Sequence, residues 1–171
     1  AFTPERLEQL NITNMPALTN ITPGVNLCCT AWNNATLTVV RGIQRGAPTY
    51  FADAPVSPVG YANFFDINGA QVLKGPQGTL FGRNTTGGAV LITPKRPTEE
   101  LEGYAEGSVG NYDMYRTQAV VNIPASDRVK LRLGFDQQQR EGYLNNITNI
   151  GPNDLANVNY IAGRASMTVN I

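Results

Sequence analysis

Any chemistry in this 171-residue chain has to be done without histidine, because the sequence contains none. That removes a histidine-based nucleophile triad, imidazole acid/base transfer and an HExxH-type zinc site, and leaves carboxylates as the remaining proton carriers. The two cysteines, Cys28 and Cys29, are adjacent. They lack the CxxC spacing of a metal or redox pair, and a disulfide between neighbours is strained, so they read as two small residues near a strand end. No two of the 17 glycines are two positions apart, which excludes a GxGxxG dinucleotide fingerprint, and no Gly-Lys precedes Ser or Thr, which excludes a Walker A loop. Asn-x-Ser/Thr occurs at Asn11, Asn20, Asn34, Asn84 and Asn146, close to chance in a chain with 18 Asn and 16 Thr. The residue types point away from an enzyme, and no cofactor or metal is expected.

The elements that would carry any function must be read from pattern. Lys and Arg total 13 against 13 Asp and Glu, so net charge offers no argument for nucleic acid as a partner. Charged residues are 15% of the chain, below the roughly 25% of an ordinary soluble domain. With 17 Gly, 11 Pro and 42% apolar residues the chain reads as turn-rich β structure rather than disorder. No signal-peptide pattern and no stretch near the ~20 apolar residues of a membrane helix is present. A start at Ala1 rather than Met reads as a processed chain or an excerpt.

Charge balance is a sum of two halves. Residues 1–97 carry seven basic and four acidic side chains, and residues 98–171 carry six and nine. The switch falls at Pro94-Lys95-Arg96-Pro97-Thr98-Glu99-Glu100, a linker-like run. The first half reads as α+β. Thr3 is placed to cap a helix starting at Pro4 with Glu5 in its first turn, and Leu7 and Leu10 share a face. Asn14 is placed to cap a second short helix with Pro16 in its first turn. Strands are expected at 25–28, 37–41, 49–51, 71–74 and 88–93. No charge lies between Glu8 and Arg41, which suits a surface covered by something else.

The second half alternates with a period of two. Leu101, Gly103, Ala105, Gly107 and Val109 alternate with Glu102, Tyr104, Glu106 and Ser108. Runs at 114–123, 129–137 and 159–171 keep the rule, odd positions apolar and even ones polar or charged, each about ten residues long. Two architectures satisfy it. A soluble sandwich packs the apolar face on a second sheet, whereas an outer-membrane barrel turns it to lipid around a polar lumen. The tight turn at 124–127 and the long polar connection from about Arg140 to Val158 match the short periplasmic turns and longer external loops of a barrel.

The stretch from Phe65 to Pro97, FDINGAQVLKGPQGTLFGRNTTGGAVLITPKRP, resembles the plug domain of TonB-dependent receptors. Asn11 to Val25 is similar to that family's opening helices, Arg41-Gly42-Ile43 to its R-G-[IV] strand end, and Tyr50 to Val56 to a further plug segment. Residues 102–116 and 126–146 resemble the first barrel hairpin and the third strand with its loop. The resemblance implies an α+β plug (1–97) followed by the first four antiparallel transmembrane strands (98–171) of a 22-stranded barrel, incomplete as given and unable alone to form a pore. It implies active uptake of a scarce large solute, typically a ferric siderophore, across the bacterial outer membrane, with outer-membrane lipid and TonB as partners, TonB acting through a box N-terminal to this chain. A soluble β-rich binding or adhesion module without transport is the alternative.

Site residues follow from the same resemblance. Arg41 and Lys74 fall on the cationic half of a plug-to-barrel lock, and Lys74 cannot make the bidentate fork of the commoner arginine. Gly75, Gly78, Gly82, Gly87 and Gly88 would serve sharp turns and close backbone approach. Trp32, Asn33, Asn34, Tyr61, Asn63 and Phe64 fall on segments that the family turns toward solute. Asp53 sits one position later than the family's aspartate, and Asn68 to Gln71 replaces a charged cluster whose exposed pairs are worth about 0–1 kcal/mol.

Overall fold

The chain divides into two units, Ala1–Lys95 and Arg96–Ile171. The computed structural model describes residues 1–29, 36–44, 47–56, 64–82, 84–145, 147 and 154–170.

In the first unit, helix α1 (Pro4–Gln9) starts where the sequence places it. The Thr3 hydroxyl accepts from the Arg6 amide at 3.4 Å, and Pro4 has no N–H to leave unsatisfied. Hydrogen bonds from its own backbone amide and from Thr3 hold the Glu5 carboxyl below the usual carboxylate range. The second expected helix is a 3₁₀ segment, Pro16–Ile21, and Asn14 Oδ1 accepts from the Ala17 amide at 3.0 Å. Strands β1 (Val25–Cys29), β2 (Thr36–Val40) and β3 (Ile43–Gln44) form an antiparallel meander.

A second sheet contains β4 (Thr49–Phe51), β5 (Ala54–Val56), β6 (Ile67–Lys74) and β7 (Gly88–Pro94) in the order β5-β4-β7-β6. Only β4 and β7 run parallel among these pairs. Ala52 and Asp53, both with positive φ, make the two-residue turn between β4 and β5. A short helix α2 (Gly78–Phe81) links β6 to β7. The core joins Leu7, Met15 and Leu18 from the N-terminal segment to Val40, Val90 and Ile92 from the sheets.

The second unit is one antiparallel sheet. Strands β8 (Glu102–Gly110), β9 (Met114–Pro124) and β10 (Val129–Arg140) are joined by short turns. The β9–β10 turn is closed by Ser126 and Val129, which exchange backbone hydrogen bonds at 3.0 and 3.2 Å. The long connection carries two short strands, β11 (Leu144–Asn145) and β12 (Asp154–Leu155), before β13 (Val158–Val169) pairs with β10. Strand β10 runs three residues past its expected end at Gln137 because Gln138 and Gln139 keep ladder pairs with both neighbours and Arg140 pairs with β13.

The two faces of this sheet are inverted relative to a soluble protein. On the odd face Val109 is 88% exposed and Ile161 70%, and Leu133, Phe135, Met167 and Val169 are exposed as well. On the even face Arg116, Gln118, Asn122, Lys130, Arg132 and Asp136 are buried.

Candidate functional site

The two expected lock residues each bond the Pro23-Gly24 turn of the first unit. Arg41 follows β2 with φ +52°, and its amide donates to the Gly24 carbonyl at 2.8 Å. Lys74, at the end of β6, reaches across the unit and its ammonium donates to the neighbouring Pro23 carbonyl at 2.6 Å. The Pro23-Gly24 turn thus takes a hydrogen bond from each, and both side chains lie at the surface. An ammonium has three donors. One is used here, which leaves Lys74 able to meet a carboxylate while it holds the turn.

The glycine-rich run between β6 and β7 folds on itself. The Gly75 amide donates to the Gly87 carbonyl and the Gln77 amide to the Thr85 carbonyl, both at 2.9 Å, so the pairing of β6 and β7 continues beyond their ends. The Thr85 hydroxyl donates to the Gly82 carbonyl at 2.7 Å, and the Gly82 amide to the Gly78 carbonyl at 3.1 Å. With those amides satisfied inside the loop, they do not converge on an outside anion as a phosphate cradle requires. The Tyr50 hydroxyl donates to the Phe81 carbonyl at 2.9 Å with the two rings 4.9 Å apart, which fixes α2 against β4.

The expected solute contacts fare differently. Trp32, Asn33, Asn34, Tyr61 and Asn63 lie outside the described residues. Phe64 corrects the expectation: it is 6% exposed and belongs to the core cluster with Met15 and Leu18, so its ring has no free face for a solute. The burial follows from its backbone, since the Phe64 amide donates to the Thr13 carbonyl at 2.8 Å and brings the side chain in beside the 3₁₀ segment.

In the second unit the polar face carries a satisfied network. Arg116 on β9 donates from Nε to Asp136 Oδ1 at 2.9 Å and from Nη2 to Oδ2 at 3.0 Å, a bidentate pair in which Asp136 is 0% exposed. The Tyr160 hydroxyl on β13 donates to the same Oδ2 at 2.9 Å. Arg132 pairs with Glu102 at 3.2 Å and Lys130 with Glu99 at 2.5 Å. That hydrogen bond and the lysine charge hold the Glu99 carboxyl below its ordinary range. The alternation predicts which face these residues share. It does not predict the Arg116–Asp136–Tyr160 cluster, whose members sit diagonally across strands and become neighbours only once register is known.

A buried charged face opposite an exposed apolar face is stable only where the apolar side meets lipid, so this sheet has the side-chain arrangement of a barrel wall. A family model described as the TonB-dependent receptor plug domain matches residues 1–89. The chain belongs to that family. Its members are receptors of the Gram-negative outer membrane. The pesticin receptor of Yersinia pestis is 37% identical over 62 residues, 36% of this chain and 9% of the receptor. The ferripyoverdine receptor of Pseudomonas aeruginosa is 34% identical over 62 residues, 36% of this chain and 8% of the receptor.

Among solved structures, the ferric yersiniabactin uptake receptor from Yersinia pestis superposes with a TM-score of 0.87 at 23% identity, over 96% of this chain and 27% of the receptor. The pyoverdine receptor from Pseudomonas aeruginosa gives 0.72 at 20% identity, over 84% and 22%. The TonB-dependent receptor fold therefore covers both the plug and the strands. The chain spans under a third of the length of each of these relatives.

Proposed function

We propose that this chain supplies the plug and the opening barrel strands of a TonB-dependent transporter that carries a ferric siderophore, or a comparably scarce large solute, across the outer membrane. The observation that carries the reading is the inverted sheet joined to a family plug. In water, Val109, Ile161, Leu133, Phe135 and Met167 would leave an apolar patch that a soluble binding module does not tolerate, whereas lipid accepts it. No bond is made or broken in this role. The work is binding and movement, powered through TonB by the inner-membrane proton gradient.

Within that reading Arg41 and Lys74 pair with carboxylates on barrel strands to hold the plug closed, and Trp32, Asn33, Asn34, Tyr61 and Asn63 contribute to solute binding. Two relatives, described as receptors for ferric yersiniabactin and ferripyoverdine, support an iron-chelate substrate. The test is growth on defined ferric chelates by a host lacking its own siderophore receptors and expressing the full-length gene, with and without TonB. TonB-dependent growth on at least one ferric chelate is expected. Growth that ignores TonB overturns the transport reading, and rescue only by a carbohydrate or cobalamin overturns the substrate class.

A further inference from the structure

The segment that enters the strand sheet is held by a side chain that acts as backbone. Asn122, on the polar face of β9, is 0% exposed. Its Oδ1 accepts from the Thr98 amide at 2.9 Å, and its Nδ2 donates to the carbonyls of Thr98 at 3.1 Å and Glu100 at 2.5 Å. One carboxamide therefore satisfies both backbone groups of Thr98, as a strand neighbour would. Next along the chain, Glu99 is bound by Lys130 of β10, and the Thr98 hydroxyl donates to Glu102 Oε1 at 3.1 Å. Asn122 is itself fixed by ladder partners on both sides, Glu102 of β8 and Arg132 of β10.

The geometry points to a mechanical clip: Asn122, assisted by Lys130, pins residues 98–100 to the barrel wall so that tension applied to the plug ends at Thr98 and does not reach β8. This rests on the proposed reading in which TonB pulls on the plug. A pull arriving from the plug side meets Thr98 first. Its amide and carbonyl are held by one side chain, so both hydrogen bonds are loaded together rather than broken in sequence. The Asn122 end of both bonds is fully buried, while Thr98 and Glu100 are exposed. Without the clip the same tension falls on Glu102, the first ladder residue of β8, where one hydrogen bond at a time opens the β8–β9 pairing like a zipper.

The test is to pull the full-length receptor in a lipid bilayer from a handle N-terminal to the plug and record the rupture events. In the unaltered protein a discrete rupture is expected after the last plug event and before any strand peels. It should come when residues 1–97, roughly 320–350 Å at 3.3–3.6 Å per residue, have been extended in addition to the chain between them and the handle. Asn122→Leu should abolish that rupture and merge plug extension with strand peeling. Lys130→Met, which removes only the ion pair, should lower its force without abolishing it. Ser166→Ala, on the same face of β13, should leave it unchanged. Plug extension that runs directly into strand peeling in the unaltered receptor, or an unchanged rupture in Asn122→Leu, overturns the clip. Loss of TonB-dependent uptake in the unaltered receptor would instead overturn the transport reading, and the rupture record would still report the anchor.

Discussion

Alanine substitution should separate the glycines of the plug loop sharply, with Gly88 the most sensitive. Gly88 pairs with Lys74 across β6 and β7 at φ +153°, and a Cβ built there collides with the Leu73 carbonyl oxygen, with the Leu73 carbonyl carbon 3.2 Å away. Because the obstacle is backbone, no side chain can swing aside. Overpacking of this kind costs about 1–3 kcal/mol, and a φ suited to glycine adds about 1–2 kcal/mol. The sum, about 2–5 kcal/mol, rivals the whole stability of a small domain. Gly78 is the internal control. A Cβ there meets nothing within 4 Å, and the residue opens α2, so Gly78→Ala should stabilise by about 0.4–1 kcal/mol through the unfolded chain.

Native-state hydrogen exchange on the full-length receptor reads both, most directly at the Gly75 amide, bonded to the Gly87 carbonyl, and the Val90 amide, bonded to the Pro48 carbonyl. At about 1.4 kcal/mol per tenfold, Gly88→Ala should speed exchange there roughly 30-fold to several-thousand-fold, and Gly78→Ala should slow it about two- to fivefold. Wild-type protection in Gly88→Ala, or equal damage from Gly78→Ala, would refute the steric argument.

Two further outcomes follow from the polar face of the sheet. Asp136→Ala removes the bidentate partner of the buried Arg116 guanidinium and should cost about 3–5 kcal/mol in denaturant unfolding of the refolded receptor, while Arg116→Met with Asp136→Leu should recover most of it. A single-variant loss as small as that of an exposed pair would contradict the buried network. Glu99 is held below the ordinary carboxylate range when folded, so its contribution is full above its unfolded pKa and is lost as pH falls through the lower folded value. NMR titration should show this depression, and Lys130→Met should return Glu99 to the ordinary range. An unchanged midpoint in that variant would assign the shift to another cause.

The strands were legible because each side chain reports which of two environments it faces. The even–odd rule from Leu101 onward survives any uncertainty about strand ends, since a one-residue slip would flip every side chain to the other face. Helix α1 was legible for a local reason, as Thr3 and Pro4 carry the start signal by themselves. Helix α2 was hidden: Gly-Thr-Leu-Phe has no room for an amphipathic period, and Leu80 is exposed. Phe64 was misread because an aromatic beside a solute-side loop and an aromatic anchoring a 3₁₀ segment look alike until the Thr13 bond is seen. Asn122 looked like one more polar-face residue. Its partners are backbone atoms more than twenty positions away, a relation that side-chain type cannot encode.

The face of the sheet that meets lipid decides between a barrel wall and a soluble module. Spin labels placed singly at residues 129 to 137 of the full-length receptor, with Cys28 and Cys29 replaced by serine, measure this directly in bilayers through collision with oxygen and with a water-soluble nickel chelate. The predicted profile has a period of two, with oxygen access highest at Val129, Leu131, Leu133 and Phe135 and lowest at Lys130, Arg132 and Asp136. Maximal nickel access at the odd positions, or no alternation at all, would contradict it.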